Sequence, residues 1–283
     1  MSRLFPTEMT AISHLSEDYP PSDGVWPARR HPRFALAFAI TMGAATLGGA
    51  TAAEPPPLPS YQADLQAFQA EQAKHPPPFT AAEREQMEEA AAALAAAMPE
   101  PGLRVGETAP DFRLPNARGK MVQLSERLAA GPVILTFYRG VWCPYCNLQL
   151  RGLHQSLAHF ARYQAQLIAV TPQQPDRSLA QVKQDGYPFE ILSNLEDTTM
   201  RAYRLAFSVP ESLRAIYQRG LGLDLADYNG NGRFVLPVPA TFVIDRDGVV
   251  RYAFAETDYR QRAEPPDILA ALADLSAQEA LSR

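Results

Sequence analysis

Residues 137–146 read Phe-Tyr-Arg-Gly-Val-Trp-Cys-Pro-Tyr-Cys and contain both cysteines of this 283-residue chain. The run before them, residues 132–138, is apolar and β-branched and is bounded by Gly131 and Gly140, which predicts a buried strand. The run after them sets Leu148, Leu150, Leu153, Leu157 and Phe160 at spacings near three and four, the pattern of an amphipathic helix. Such a chain must fold with its two thiols at a strand-to-helix junction. Unpaired N–H groups and the helix dipole favour a thiolate there. Pro144 falls in the first helical turn, where a missing N–H costs no hydrogen bond.

A pair spaced this way can close and open a disulfide, so a redox-active unit is its first reading. Three others stay open. A structural bridge across so short a loop removes little entropy from the unfolded chain. Two small apolar residues can simply be buried, but burial does not explain the Trp-Cys-Pro-Tyr-Cys setting. Zinc is the third, because His154 and His159 follow. Against it, Cys146 and His154 lie on one predicted helix about 12 Å apart along the axis, and metal–ligand bonds of about 2.0–2.3 Å do not span that. No metal or cofactor is expected, and both histidines read as surface residues of the helix.

The net charge is −5. Nothing in the chain resembles the clustered basic face of a nucleic-acid binder. Residues 1–28 are polar, contain proline and lack periodicity, and are expected to be disordered. Arg29-Arg30-His31-Pro32-Arg33, the apolar residues 34–50 and the small residues 50–53 then form the basic, apolar and cleavage regions of a secretory signal. A translation start at Val25 would give that signal an ordinary length. The expectation is export, in a bacterium to the periplasm, with an uncleaved membrane anchor or a cytoplasmic protein as the alternatives. Gly43, Gly48 and Gly49 weaken the anchor.

Three regions follow: the N-terminus with the signal-like segment (1–53), a Pro- and Ala-rich helical arm (54–101) and an α/β domain (102–283). In the arm, residues 62–74 predict one helix. Thr80-Ala81-Ala82-Glu83 is a capping box opening a second, which Pro99 stops. The arm is expected to pack on the following domain or on a partner. In the domain, residues 103–105, 112–114, 122–124, 167–170, 188–192, 241–245 and, as the hairpin partner of the last, 249–256 read as extended. Helices are expected over 177–184, 196–205, 210–221 and 268–275, and Arg246-Asp247-Gly248 as a hairpin turn. This alternation implies a mixed sheet flanked by helices.

Cys-x-x-Cys beside a βαβ pattern points to a thioredoxin-like fold. Residues 106–114, beginning Gly-Glu-Thr-Ala-Pro-Asp-Phe, residues 133–146, and Ala240-Thr241-Phe242-Val243-Ile244-Asp245-Arg246-Asp247-Gly248 together resemble the peroxiredoxin superfamily, the alkyl hydroperoxide reductase and thiol-specific antioxidant group. Residues 137–146 with 236–241 and 258–265 resemble its peroxiredoxin-like branch. The similarity covers roughly 103–275. In that family Pro-x-x-x-Thr-x-x-Cys follows the strand, and a distant Arg precedes a Thr-Phe pair. Here the peroxidatic cysteine falls on Cys146, the threonine on Cys143, the proline on Arg139 and the distant arginine on Pro239, so only the cysteine is kept. The substitutes match thioredoxin instead. Trp142-Cys143-Pro144-Tyr145-Cys146 resembles its active site, and Val238-Pro239 resembles its cis-proline loop, whose proline packs near the sulfurs.

The resemblance implies a thiol-dependent peroxidase acting on hydrogen peroxide or organic hydroperoxides. Its Cys143–Cys146 disulfide would be reduced by a thioredoxin-like donor. Arg139 is the nearest replacement for the missing cation, Arg151 is a more distant surface charge, and Trp142 would shield the thiols or fill core. The runner-up is a thiol–disulfide oxidoreductase without peroxidase activity, in which Cys143 attacks and Cys146 resolves. A redox-insensitive binding module using the arm is the third reading. The first cysteine of such a motif is expected to face solvent and the second to sit one turn in, so exposure names Cys143 as the attacking thiol and family spacing names Cys146.

Overall fold

A computed structural model describes residues 55–230 and 232–281. The signal-like segment and the residues before it lie outside the described residues. Two helices come first, α1 (Tyr61–Lys74) and α2 (Ala81–Ala97). The short hairpin β1 (Arg113–Pro115) and β2 (Met121–Gln123) leads through α3 (Leu124–Leu128) to β3 (Val133–Phe137), α4 (Pro144–Gln155) and α5 (Leu157–Ala161). Next come β4 (Gln166–Thr171), α6 (Pro175–Asp185), β5 (Glu190–Ser193), α7 (Thr198–Ala202), β6 (Ala206–Ser208), α8 (Glu211–Leu221) and α9 (Leu225–Asn229). The chain ends with β7 (Val235–Pro237), β8 (Ala240–Ile244), β9 (Val250–Ala255) and α10 (Pro265–Leu281).

Five strands form one mixed sheet in the order β5-β4-β3-β8-β9. β3 is central, parallel to β4 and antiparallel to β8. Successive side chains of a strand point to opposite faces, and β3 divides accordingly. Val133, Leu135 and Phe137 join a core with Phe242, Ile244, Tyr203 and Leu205. Ile134 joins the opposite core with Leu153, Phe160, Val243, Ile268 and Leu272, which seats α4, α5 and α10 on that face. Beneath α4, Gln149 Nε2 donates to Thr241 Oγ1 at 3.0 Å, and Thr241 shares a hydrogen bond with Thr136 Oγ1 at 3.1 Å. This buried polar chain ties the cysteine helix to the two central strands.

Each arm helix lies against a helix of the domain, α1 on α4 and α2 on α8. Thr80 and Glu83 form the reciprocal capping box, with Thr80 N–H donating to Glu83 Oε2 at 2.7 Å. Glu83 is buried and ion-pairs with Arg219 of α8. Phe79, Met87 and Ala90 extend the apolar cluster of Leu213, Ile216 and Tyr217 on that helix. From α1, Tyr61 and Leu65 pack on Leu148 of α4, and the Phe68 ring meets Tyr145 edge-on with centroids 5.4 Å apart.

Some local expectations differ from the structure. Residues 103–105 form no strand; Gly106 N–H is tied to Val250 O instead, and Val105 is exposed. The helix expected from the leucine spacing breaks at Ser156, whose Oγ donates back to Gly152 O at 2.8 Å. His159, expected at the surface, is buried, with its Nε2 2.6 Å from Pro56 O. His154 stands edge-on against Tyr187. The Val238–Pro239 peptide is trans, unlike the cis-proline loop implied by the thioredoxin resemblance. Val238 N–H is held by Leu205 O at 2.8 Å, and the chain runs directly from β7 into β8.

Candidate active site

The chain leaves the sheet after Phe137 and turns into α4 over six residues. Tyr138 N–H still bonds Val170 O, and Val141 N–H is fixed by Gln173 Oε1 at 2.9 Å. Gly140 has φ +146°, which side-chain-bearing residues rarely adopt, and a Cβ there would lie 2.5 Å from Trp142 Nε1. The turn delivers Cys143 as the N-cap of α4 with extended φ and ψ, and Pro144 starts the helix. Cys146 N–H and Asn147 N–H both donate to Cys143 O. The junction therefore holds the two thiols on neighbouring turns of backbone, as the sequence predicts.

Exposure differs from expectation. Cys143 is 1% exposed and Cys146 0%. The first cysteine does not face water because Trp142 and Tyr145 pack with it from its own segment. Tyr145 in turn meets Tyr259 edge-on at 5.3 Å. Arg139 and an arginine not singled out by sequence, Arg262, are also buried, at 5% and 3% exposure.

Arg139 stands over three aromatic rings: Tyr259 at 4.7 Å, Trp142 at 4.9 Å and Tyr217 at 5.9 Å, and its Nη2 donates to Tyr217 Oη at 3.0 Å. Arg262 Nη2 donates to Cys146 Sγ at 3.5 Å, while its Nη1 is held by the carbonyls of Tyr259 and Gln261. No carboxylate among the described residues pairs with either guanidinium, and the Nε of each lacks a hydrogen-bond partner. Two buried cations thus face one pair of thiols.

Burial pushes both thiols up, and the two then diverge. Cys143 rises well above the ordinary thiol value, through burial and because its S–H is donated to Cys146. For Cys146, burial is opposed by that hydrogen bond, by the Arg262 and Arg139 charges and by the Arg139 backbone N–H, and the result is a value below that of an ordinary thiol. Hydrogen bonds to a charged group contribute about 1.5–3 kcal/mol each, and about 1.4 kcal/mol shifts a pKa by one unit. Several together offset a burial shift of about three to five units. The pair is built to carry one negative charge, on Cys146.

Among the other residues named from sequence, Trp142 is half-buried over the thiols, and its indole N–H has no partner. Arg151 is exposed on α4. Pro239 is buried one residue before β8, and its carbonyl accepts from Glu256 N–H at 3.4 Å. Sequence reasoning missed Arg262, Tyr217 and Tyr259. The segment 258–265 contains Arg260 and Arg262 two positions apart, and only the fold separates the exposed one from the buried one. No group of three or more His, Cys, Asp or Glu that could hold a metal occurs among the described residues.

Comparison with known proteins places this site in context. Thiol-disulfide oxidoreductase ResA of Geobacillus kaustophilus is 24% identical over 56% of this chain and 74% of its own length. Alkyl hydroperoxide reductase E of Mycobacterium bovis is 27% identical over 53% of this chain and 84% of its own. Among solved structures, peroxidoxin BcpB from Mycobacterium tuberculosis is 20% identical, covers 61% of this chain and 97% of its own, and superposes with a TM-score of 0.48. The sequence model of the AhpC/TSA family matches residues 105–253, from the loop before β1 into β9. That match takes in the central strands and both thiols and spans more than half of the 283 residues. The chain therefore belongs to the AhpC/TSA family and is an oxidoreductase of peroxiredoxin type.

Proposed function

We propose that the protein reduces hydroperoxides with Cys146 as the attacking thiolate and Cys143 as the resolving thiol, and that a thioredoxin-like dithiol returns the electrons. The reading rests on one observation above all: Arg262 Nη2 donates to Cys146 Sγ at 3.5 Å, and the Cys143 S–H and the Arg139 backbone N–H point their hydrogen bonds at the same sulfur, whereas Cys143 feels the two arginine charges only at a distance and is raised. Kinship with an alkyl hydroperoxide reductase supports it. The Cys146 thiolate attacks the terminal oxygen of R–O–OH. An S–O bond forms, the O–O bond breaks and RO⁻ leaves, with Arg262 beside the developing charge. RO⁻ takes the proton of Cys143, which becomes a thiolate. Cys143 then attacks the sulfenic sulfur of Cys146; the S–S bond forms and hydroxide leaves, to be protonated to water. Peroxide and two thiols have become alcohol, water and a disulfide. A dithiol donor reduces that disulfide by exchange.

Peroxide consumption coupled to a thioredoxin system tests this reading. Cys146→Ser should consume no peroxide. Cys143→Ser should react once per chain and stop as a sulfenic acid. A sulfenic acid formed on Cys143 in Cys146→Ser, with Cys143→Ser inert, would sink the assignment. A second reading, disulfide exchange without peroxidase activity, is favoured by kinship with a thiol-disulfide oxidoreductase and by the N-cap position of Cys143. A wild type that reduces protein disulfides but leaves peroxide untouched would carry that reading instead.

A further inference from the structure

Arg262 is carried by the segment that leaves β9 and enters α10, beyond the residues matched by the family model. Its bonds to the Tyr259 and Gln261 carbonyls orient the guanidinium within its own loop. They do not fix that loop against α4, where Cys146 lies. Tyr259 meets Tyr145 of α4 edge-on and Ala263 shares a core with Leu153 of α4, and the first turn of α1 adds hydrogen bonds at both Arg260 and Glu264. Tyr61 Oη donates to Arg260 O at 2.6 Å. At the other end of the loop, the Glu264 carboxylate accepts Tyr61 N–H at 2.9 Å and Gln62 N–H at 2.8 Å. The same turn is pressed on the cysteine helix through Tyr61, Leu65 and Leu148. Ser60 Oγ already caps α1 by accepting Ala63 N–H, so the helix start has a cap of its own without Glu264. The Tyr61 ring would be equally buried without a hydroxyl.

We propose that Tyr61 and Glu264 are positioning residues: together they clamp both ends of the 260–264 loop to the arm and so hold the Arg262 guanidinium against Cys146 Sγ. The inference rests on Cys146 being the reactive thiolate. The Arg262–sulfur contact, at 3.5 Å, has little slack. A small displacement of the loop weakens it, as misplacements of about 1 Å commonly do at reacting centres.

The test uses the full chain with Tyr61→Phe and Glu264→Gln, singly and together, in wild-type and Arg262→Gln backgrounds. Both substitutions keep size and shape, and circular dichroism checks the fold. The first readout is the ultraviolet thiolate absorbance of the reduced protein against pH. The second is the rate of sulfenic acid formation with hydrogen peroxide. Each single variant should move the thiolate midpoint upward and slow oxidation about threefold, and the double variant about tenfold, the scale of one or two lost hydrogen bonds. In the Arg262→Gln background the same changes should have no further effect, because the clamp acts through Arg262. Folded variants with an unmoved midpoint would overturn the clamp, as would equal shifts in both backgrounds. If the protein does not react with peroxide, the functional reading fails but the thiolate titration still decides the clamp. If peroxide is consumed while the midpoint stays fixed, the clamp fails and the functional reading survives.

Discussion

A thiol shut away from water titrates upward unless something holds its charge, and the two thiols here differ in what holds them. If Cys146 is the attacking thiolate proposed above, its value lowered to about 5 means that oxidation by peroxide should be flat through neutrality and lost on acidification through about pH 5. Stopped-flow oxidation across pH checks this; a rate still climbing from pH 7 to pH 9 would mean an ordinary thiol. Gly140→Ala puts a methyl group against Trp142 in a backbone region foreign to alanine. It should destabilise the protein by about 1–3 kcal/mol in urea unfolding. The thiols, the strand before them and the helix after them were legible because periodicity and the Cys-x-x-Cys spacing are local signals. Arg139 was legible by adjacency to Gly140 and the motif. Arg262 was not, because 116 positions separate it from Cys146 and only the packing of β9, α10 and α1 brings it inward.

At the scale of elements, the long ones could be read, as could the short β1 and β2, expected over 112–114 and 122–124, while other short ones could not. β3, β4 and β8 are buried runs of β-branched and aromatic residues, and the arm helices carry caps or composition that declare them. β6, β7 and α9 hold three to five residues, too few to show a period. They exist because tertiary packing brings distant residues together: among the described residues, β6 and β7 pair with each other in a two-stranded sheet of their own. The second arm helix provides a direct test of tertiary docking. Thr80→Ala removes one half of the capping box and should cost about 1 kcal/mol of global stability if α2 unfolds with the domain. Urea denaturation measures it, and an unchanged midpoint would mean that the helix melts separately. The first arm helix buries only Tyr61 and Leu65. Its amides should therefore exchange with solvent faster than those of β3, as hydrogen exchange would reveal.

For the whole molecule, the basic–apolar–small pattern of residues 29–53 leads us to propose export, with a mature N-terminus near Ala53 or Glu54. N-terminal sequencing of the protein from its native host checks this, and recovery of intact residues 1–53 in the cytoplasm would end it. The two buried arginines carry a consequence for the energetics of the oxidised state. In the dithiol form one thiolate balances part of their charge; in the disulfide form both cations lose that anion while remaining out of water. Whatever stabilises the reduced form raises the reduction potential, by about 30 mV for each tenfold in the equilibrium. The couple should therefore lie above the about −270 mV of thioredoxin, and the disulfide form should melt at the lower temperature. Electrons from a thioredoxin-like donor would then run downhill into this disulfide, so that the pair of charges proposed to arm the sulfur against peroxide would also draw the protein back to its reduced state.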